Sequence, residues 1–495
     1  MRLLPTMTVI AGLTVSGTSL WAEESLSVGP RHLGMGGTGV ATVDDVPAHY
    51  YNPAAYGFFA YAAPPSEQSD KGPFSVDNNA LYRKDFGGAV DFSFGARIHK
   101  DFVDHVDTLR KYYDDGTFDR IGTTGLAGLE ADATAFVEIV NALSNLQDPD
   151  NAMSIDINTG VAARVGHFGL GVRAFSQVAA RLQSLDFANL GLGGVGSLDA
   201  QLSGITAPGS GSVLTTAQQT QLQTAGISAG NVTTIDQLAA QAGISTDQTQ
   251  ALVDALSIVA AGGGGTLDNN TTAARIYGAG IMEIPLTFGY AINENFAVGG
   301  NLKGMIGRVY GSDVLIFKDD AADQINDARD NYKQTVTWGL DLAVMFRMRM
   351  LQLGLTARNL NAPSFDGPTV GAIKYNDYTL DPSVMAGVAF IPYETLSFAV
   401  DLDLTTNESI LRNYDTQMLR LGGEWDIFRF FALRAGYSQN LAEDDVGALV
   451  HAGVGINLWA IRFDVAGAMS LDTTTYDGSE VPREARLSAQ LAVDF

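Results

Sequence analysis

The chain has 495 residues, of which 46% are hydrophobic and 17% charged, with 55 glycines and no cysteine. The missing cysteine excludes disulfide scaffolds, Cys-ligated zinc, iron–sulfur clusters and thiol chemistry. A formal charge of −25 removes counterion release as a general binding force, so no direct nucleic-acid binding is expected.

Residues 1–22 read MRLLPTMTVIAGLTVSGTSLWA, with Arg2 ahead of an apolar stretch from Met7 to Val15 and small residues leading to Ala22. This is the pattern of a secretory signal peptide, too short in its apolar core to span a bilayer. Beyond Ala22 the longest apolar candidate, Ala251 to Ala261, is short and carries Asp254. A helical membrane protein is excluded, which leaves an exported soluble protein or a β-barrel.

Gly34-Met-Gly36-Gly-Thr-Gly39 formally matches the spaced glycines of dinucleotide-binding turns. That chemistry needs a hydrophobic strand before and a helix after. Here Pro30, Arg31 and His32 precede the glycines and the β-branched Val40, Thr42 and Val43 follow, so no nucleotide site is expected.

Period-two alternation then dominates. In 87–98, Val90, Phe92, Phe94, Ala96 and Ile98 oppose Asp91, Ser93 and Arg97. In 334–347, Trp338, Leu340, Leu342, Val344 and Phe346 oppose Thr337, Asp341 and Arg347. In 395–405, Leu396, Phe398, Val400, Leu402 and Leu404 oppose Ser397, Asp401 and Asp403. The spacing predicts strands near 87–98, 154–165, 168–179, 274–291, 296–310, 334–347, 351–361, 384–391, 395–405, 415–426, 430–440, 446–457, 460–471 and 484–495. These fourteen make an all-β, antiparallel transmembrane barrel the expected fold.

Connection lengths support the same reading. Gly166-His167, Ile292 to Asn295, Met348 to Met350, Pro392 to Glu394, Ile427 to Arg429 and Leu458-Trp459 are short. They alternate with longer connections, as periplasmic turns alternate with outer loops. Two of the long ones, near 101–148 and 183–272, have helical spacing and are expected to be helical inserts. The second contains AGIS at Ala225–Ser228 and again at Ala242–Ser245. Gly243 is expected to stop one helix, and Ser245 with Gln248 to form a capping box that starts the next, carrying Leu252, Val253, Leu256 and Val259. The final strand sets Leu487, Ala489, Leu491, Val493 and Phe495 on one face and resembles the signal read by the outer-membrane barrel assembly machinery.

With apolar faces outward, the lumen receives Asp91, Arg97, Lys303, Asp341, Asp401, Asp403, Arg420, Glu424, Arg434, Arg462, Asp464, Arg486 and Asp494. The mixed signs favour cross-strand ion pairs over a one-sign selectivity filter. The six histidines form no close ligand pair and no Gly-x-Ser-x-Gly elbow occurs. No enzyme activity, metal or cofactor is expected.

Residues 31–55, RHLGMGGTGVATVDDVPAHYYNPAA, resemble the N-terminal plug of FadL-like (long-chain fatty-acid transporter) outer-membrane barrels. GLTARNLNAPSFD at 354–366 and RLGGEWDIFRFFALRAGYSQNL at 420–441 resemble one branch, the conjugal transfer TraF-like outer-membrane proteins. The resemblance implies a plug over 23–86 ahead of a barrel over 87–495. Gly34, Gly36, Gly37, Gly39, Asp44, Asp45, Asn52 and Pro53 are then the plug or gate residues. The glycines allow sharp turns in a confined lumen, and the two aspartates need lumen arginines as partners. The resemblance further implies location in the outer membrane of a Gram-negative bacterium, in contact with its lipid. Two functions follow as expectations: passive uptake of hydrophobic small molecules, or a non-transporting scaffold that holds envelope proteins of a conjugation or secretion apparatus.

Overall fold

The computed structural model describes residues 27–59, 86–126, 130–148, 150–189, 196–206, 209, 211–262, 265, 269–317, 324, 328–411, 414–458 and 460–494. The expected signal peptide, residues 60–85 of the expected plug, and Phe495 lie outside them. Fourteen strands close into one antiparallel barrel. They are β1 (Phe86–Ile98), β2 (Ala152–Val165), β3 (Phe168–Ser184), β4 (Ala273–Ala291), β5 (Phe296–Leu315), β6 (Tyr332–Arg347) and β7 (Leu351–Arg358). The circuit continues through β8 (Ser383–Tyr393), β9 (Leu396–Asp403), β10 (Met418–Ile427), β11 (Phe431–Asn440), β12 (Leu449–Leu458), β13 (Ile461–Ser470) and β14 (Glu484–Asp494). Closure is made by β14 on β1, for example Leu491 opposite Val90 and Ala489 opposite Phe92.

The expected parity holds along the wall. Val90, Phe92, Val161, Leu170, Leu286, Trp338, Leu342, Phe398, Val400 and Leu491 are exposed on the outer face, while Asp91, Lys303, Asp341, Asp401, Asp403 and Asp464 are buried inside. An apolar belt of this size is unfavourable in water and matches a hydrocarbon layer. The main departures from the expected spans are lengths. β3 runs on to Ser184 and β5 to Leu315, whereas β7 stops at Arg358 instead of 361. About ten tilted residues cross a bilayer, so the 17, 19 and 20 residues of β3, β4 and β5 rise well above it at the long-loop end. β7 stops because Asn359 and Ala362 take left-handed backbone (φ 51° and 47°), and the chain turns inward. The β3–β4 ladder is interrupted between the pairs Leu170–Leu286 and Arg173–Glu283, where Pro285 has no N–H to donate.

The inserts form a helical cap. After the lumen helices α1 (Pro30–Gly34), α2 (Ala48–Tyr51) and α3 (Ala55–Phe59), the inserts supply α4 (Phe102–Asp114), α5 (Thr117–Thr124), α6 (Glu130–Leu146), α7 (Leu198–Leu202), α8 (Thr216–Thr224), α9 (Ala229–Gln241) and α10 (Thr249–Gly262). They share one apolar core that includes Leu109, Leu143, Leu202, Leu222, Leu238, Leu252 and Leu256 and touches the tall wall at Leu182 and Ile316. Both AGIS copies end helices: Ile227 N–H bonds the Leu222 carbonyl and Ile244 N–H the Ala239 carbonyl, around Gly226 and Gly243 at positive φ. The capping box expected at Ser245 and Gln248 is not the start of α10. Gln248 instead closes a turn on the Ser245 carbonyl and the helix begins at Thr249. A reciprocal box does form at Thr215 and Gln218, starting α8.

Two further outer loops bend into the barrel mouth. Phe365, Tyr378 and Leu380 pack on Ala279, Ile281, Met305 and Val309 of β4 and β5. Ile410, Leu411 and Tyr414 pack on Ala152 and Ala179 of β2 and β3.

Candidate functional site: the plugged lumen

Residues 27–59 fill the lumen as three short helices, α1 (Pro30–Gly34), α2 (Ala48–Tyr51) and α3 (Ala55–Phe59), with tight turns between them. Helices of four or five residues are not stable alone; these persist because the wall binds them. A helix occupies Pro30–Gly34, where a nucleotide-binding turn needs a strand, and the next helix begins only at Ala48, which removes the dinucleotide reading.

The first means of attachment is close backbone packing. Across the lumen face of β7 to β12, inward positions are occupied by Gly354, Gly387, Gly422, Gly436 and Gly453. Gly387 is paired with Gly354, and Gly422 with Gly436. A Cβ on Gly436 would lie 2.5 Å from the Met35 carbonyl carbon, and one on Gly387 would lie 2.9 Å from the Val40 side chain. Packing of Gly34 is reciprocal, since its own Cβ would meet the Cα of Gly453 at 3.0 Å. Gly36 and Gly37 also need their missing side chains for another reason, with φ of 72° and 88°. Gly39 lies under the Tyr51 ring. On the opposite wall, Cβ atoms on Gly289 and Gly299 would both come within 2.6 Å of the Pro53 carbonyl oxygen.

Hydrogen bonds fix the register of this packing. Asp401 Oδ2 accepts the backbone N–H groups of Gly39 and Val40 at 2.7 and 2.9 Å. Asn52 Nδ2 donates to the carbonyls of Val40 at 2.8 Å and Val344 at 3.1 Å, while its Oδ1 accepts from Ala54 N–H. Thr356 Oγ1 donates to the Tyr51 carbonyl and Asn301 Nδ2 to the His49 carbonyl. His49 Nδ1 is 2.8 Å from the Val46 carbonyl, and burial together with the nearby Arg173 pushes the imidazole down to about 4.

The second attachment is a ring of charges near the short-turn end. Arg31 reaches Asp44 and also Glu424, at 2.7 Å from Nη2 and 3.0 Å from Nε. Glu424 binds Arg434 at 2.5 Å, Arg434 binds Asp464 at 2.7 Å, and Asp464 binds Arg462 at 2.9 Å. Arg462 returns to Asp45. The ring thus leaves the lumen segment at Arg31 and comes back at Asp45, which itself lies 3.8 Å from Arg31. Burial opposes ionisation of Asp45, but Arg462, His32 and Arg31 together hold its carboxyl well below the usual carboxylate range. Desolvation offsets much of the Coulomb gain in such a ring, yet removing one member strands a buried charge.

Not every expected site residue joins the ring. Asp44 pairs with Arg31 of its own segment, not with a wall arginine as expected. Arg420 is held by Asp403 at 2.6 Å and Asp341 by Lys303 at 3.1 Å. Arg97 and Arg486 share Glu484, at 2.6 and 2.5 Å. These three groups brace wall strand to wall strand. Sequence reasoning did not single out Arg31 as the hub of the ring, nor Glu283, Asp156 and Arg173 as lumen partners. It also missed the glycine seat, whose signal was glycine at inward parity in strand after strand.

Beneath the lumen segment, at the short-turn end, lies a cavity of about 460 Å³ lined by Phe58, Phe59, Met345 and Ile391 together with ring members including Arg31, Glu424 and Arg462. At the other end a second cavity of about 130 Å³ lies between the two inward-bent loops. The buried lumen segment stands between them. Among the described residues no group of three or more His, Asp or Glu side chains could hold a metal ion.

Comparison with known proteins adds a family. Residues 73–403 match the model described as F plasmid transfer operon, TraF, protein. The chain belongs to this family. The match runs from before β1 to the end of β9 and takes in both helical inserts, to which the sequence resemblance did not extend. No curated protein matches the sequence. Similar solved structures include the Ralstonia pickettii toluene transporter TbuX, at 12% identity and TM-score 0.45 over 94% of this chain and 98% of that one. The P. putida toluene transporter TodX aligns at 12% identity and TM-score 0.43, covering 95% and 98%. A Pseudomonas aeruginosa FadL homologue aligns at 8% identity and TM-score 0.42, also covering 95% and 98%.

Proposed function

We propose that this TraF-family barrel is an outer-membrane channel of a Gram-negative envelope, used for passive uptake of hydrophobic small molecules and closed at rest by residues 27–59. The observation that supports this is how the lumen is filled. Fourteen strands enclose more space than wall side chains fill, and the space is taken by a separate segment seated on wall glycines and tied by one ring of charges. An occupant held this way is displaced without breaking the barrel ladder. Gly34, Gly36, Gly37, Gly39, Asp44, Asp45, Asn52 and Pro53 then act as gate residues. The partly apolar cavity below them receives the solute. Surrounding lipid and the barrel assembly machinery, through the C-terminal strand, are the partners of folding. Cells with the gene, without it, and with a form lacking residues 25–58 are compared for uptake of a labelled long-chain fatty acid. Faster uptake with the gene, and faster still without the segment, is expected; equal uptake with and without the gene ends the channel reading.

A second reading rests on the cap. Its helices bury a core of their own, more structure than closing a mouth requires, and family membership links the chain to a transfer operon. As a scaffold, the protein would lose conjugation or secretion when the cap is removed, with uptake unchanged.

A further inference from the structure

One group of side chains at the outer end of the barrel belongs neither to the ring of charges nor to the braces of the wall. β1 ends at Ile98, and the N–H of the next residue, His99, donates to the Ala152 carbonyl at 2.9 Å, which fixes where its buried ring lies. That ring has a different partner on each nitrogen. Nε2 is 3.4 Å from Oγ of Ser154 on β2, and Nδ1 is 3.3 Å from Oδ2 of Asp445 in the β11–β12 loop. The Tyr414 ring meets the imidazole edge-on, with centroids 4.5 Å apart, and holds its plane. Asp445 makes no ion pair with a lysine or arginine among the described residues, and its Oδ1 is buried without a hydrogen bond. A carboxylate withdrawn from water this way is costly, and the imidazole is what it serves.

Hydroxyl on Nε2 and carboxylate on Nδ1 is the order that activates a serine nucleophile, and its hydrogen bonds are often long until substrate is bound. A histidine that only braces the wall looks different. His451 lies 2.8 Å from Ser438 but has no carboxylate within hydrogen-bond reach among the described residues. Ser154 stands opposite Ala179 of β3 and Arg97 of β1. Ala179 lines the outer cavity of about 130 Å³, and it shares an apolar cluster with Ile410, Leu411, Tyr414 and Val446. A cavity of roughly 150 Å³ takes one benzene molecule, so an acyl group of about four to six carbons fills this one. Arg97, braced by Glu484 at 2.6 Å, brings positive charge beside the serine, as a developing oxyanion requires.

We propose that Ser154, His99 and Asp445 form a hydrolytic triad that cleaves carboxylic esters with a short apolar acyl group. The proposal goes beyond the channel reading and does not rest on it. Ser154 Oγ attacks the ester carbonyl carbon while its proton passes to His99 Nε2, and Asp445 stabilises the imidazolium. The tetrahedral intermediate then breaks its bond to the alcohol oxygen, which leaves with the proton from Nε2. Water attacks the acyl-serine, gives its proton to Nε2, and the acid departs as the proton returns to Ser154 Oγ.

The full-length protein, purified in detergent, is treated with a fluorophosphonate probe and assayed on 4-nitrophenyl butyrate. Labelling at Ser154, located by peptide mass spectrometry, and turnover of the ester are both expected. Ser154→Ala should abolish labelling and lower hydrolysis about 1,000-fold or more, and Asp445→Asn should lower kcat about 100-fold or more with KM little changed. Ser488→Ala, at a buried lumen serine bonded to Ser93, serves as the control that keeps activity. Heat-shifted gel mobility shows that the barrel of each variant is folded. Folded parent protein that is not labelled at Ser154, that does not turn over the ester, or that hydrolyses it as fast after Ser154→Ala overturns the triad.

Discussion

The lumen segment and the helical cap both lie outside the barrel wall, and they are held in opposite ways. The cap has helices of up to 17 residues, a reciprocal capping box and its own apolar core. The lumen segment has helices of four and five residues without side-chain caps at α1 and α2, and its contacts run outward to wall glycines, Asp401, Thr356 and Glu424. The cap carries its own folding information, whereas the lumen segment borrows its shape from the barrel. Changes in the cap should therefore stay local, and changes in the wall should appear as release of the segment.

The largest effect is expected at the charge ring. Glu424→Gln leaves Arg31 and Arg434 without their shared carboxylate, and stranding buried charge costs about 3–5 kcal/mol. Large, long-lived openings in planar-bilayer recordings are the expected result, and a trace as quiet as the parent's would show that the ring does not hold the segment. In the cap, Leu143→Ala removes a fully buried side chain and should cost about 2–5 kcal/mol. Limited proteolysis should then cut within 101–148 while barrel mobility on unheated gels is unchanged; joint loss of both would break the distinction between the regions.

Acid should act on the lumen segment. His49 is held neutral, at about 4 when seated, and an imidazole exposed on release titrates near 6.5. A depressed histidine contributes stability that is present above pH 6.5 and lost as pH falls toward 4. Lowering pH from 7.5 to 4.5 should raise open probability roughly 50- to 100-fold, and His49→Gln should flatten that response. Asp45 does not contribute in this window. Its folded value is already lowered, so its stabilisation is lost only below the ordinary carboxylate range near 3.9.

Gly436→Ala places a methyl group on the Met35–Gly36 backbone, at an overpacking cost of about 1–3 kcal/mol. Brief openings and modest sensitivity to large antibiotics are expected, and alanine at an outward glycine such as Gly423, whose nearest Cβ neighbour is 3.4 Å away, serves as the control. The smallest effect belongs to Thr215→Ala, which removes the cap of α8 and should cost about 1 kcal/mol, visible as faster amide exchange in that helix alone.

Legibility followed the same division. Strands such as β1, β6 and β9 were readable because a two-sided wall imposes period two on each residue pair, and Leu252, Val253, Leu256 and Val259 were readable because α10 buries one face. The start of α10 was misplaced because Ser245 and Gln248 match a capping box by type, while only the surrounding packing selects a turn there. Asp44 and Asp45 were identifiable as charges in need of partners. That Arg31 should satisfy one and Arg462 the other depends on where β13 brings Arg462 beside a segment more than 400 residues away.

The sequence by itself determined the barrel, its strand number, the side each residue faces and the presence of helical inserts, because all of these follow from local periodicity and connection length. Only the tertiary structure decided what the lumen holds and how. The glycine seat, the ring of ion pairs from Arg31 round to Asp45 and the two cavities each join strands and loops far apart in the chain. Their energy comes from contacts that exist only once β14 has closed on β1.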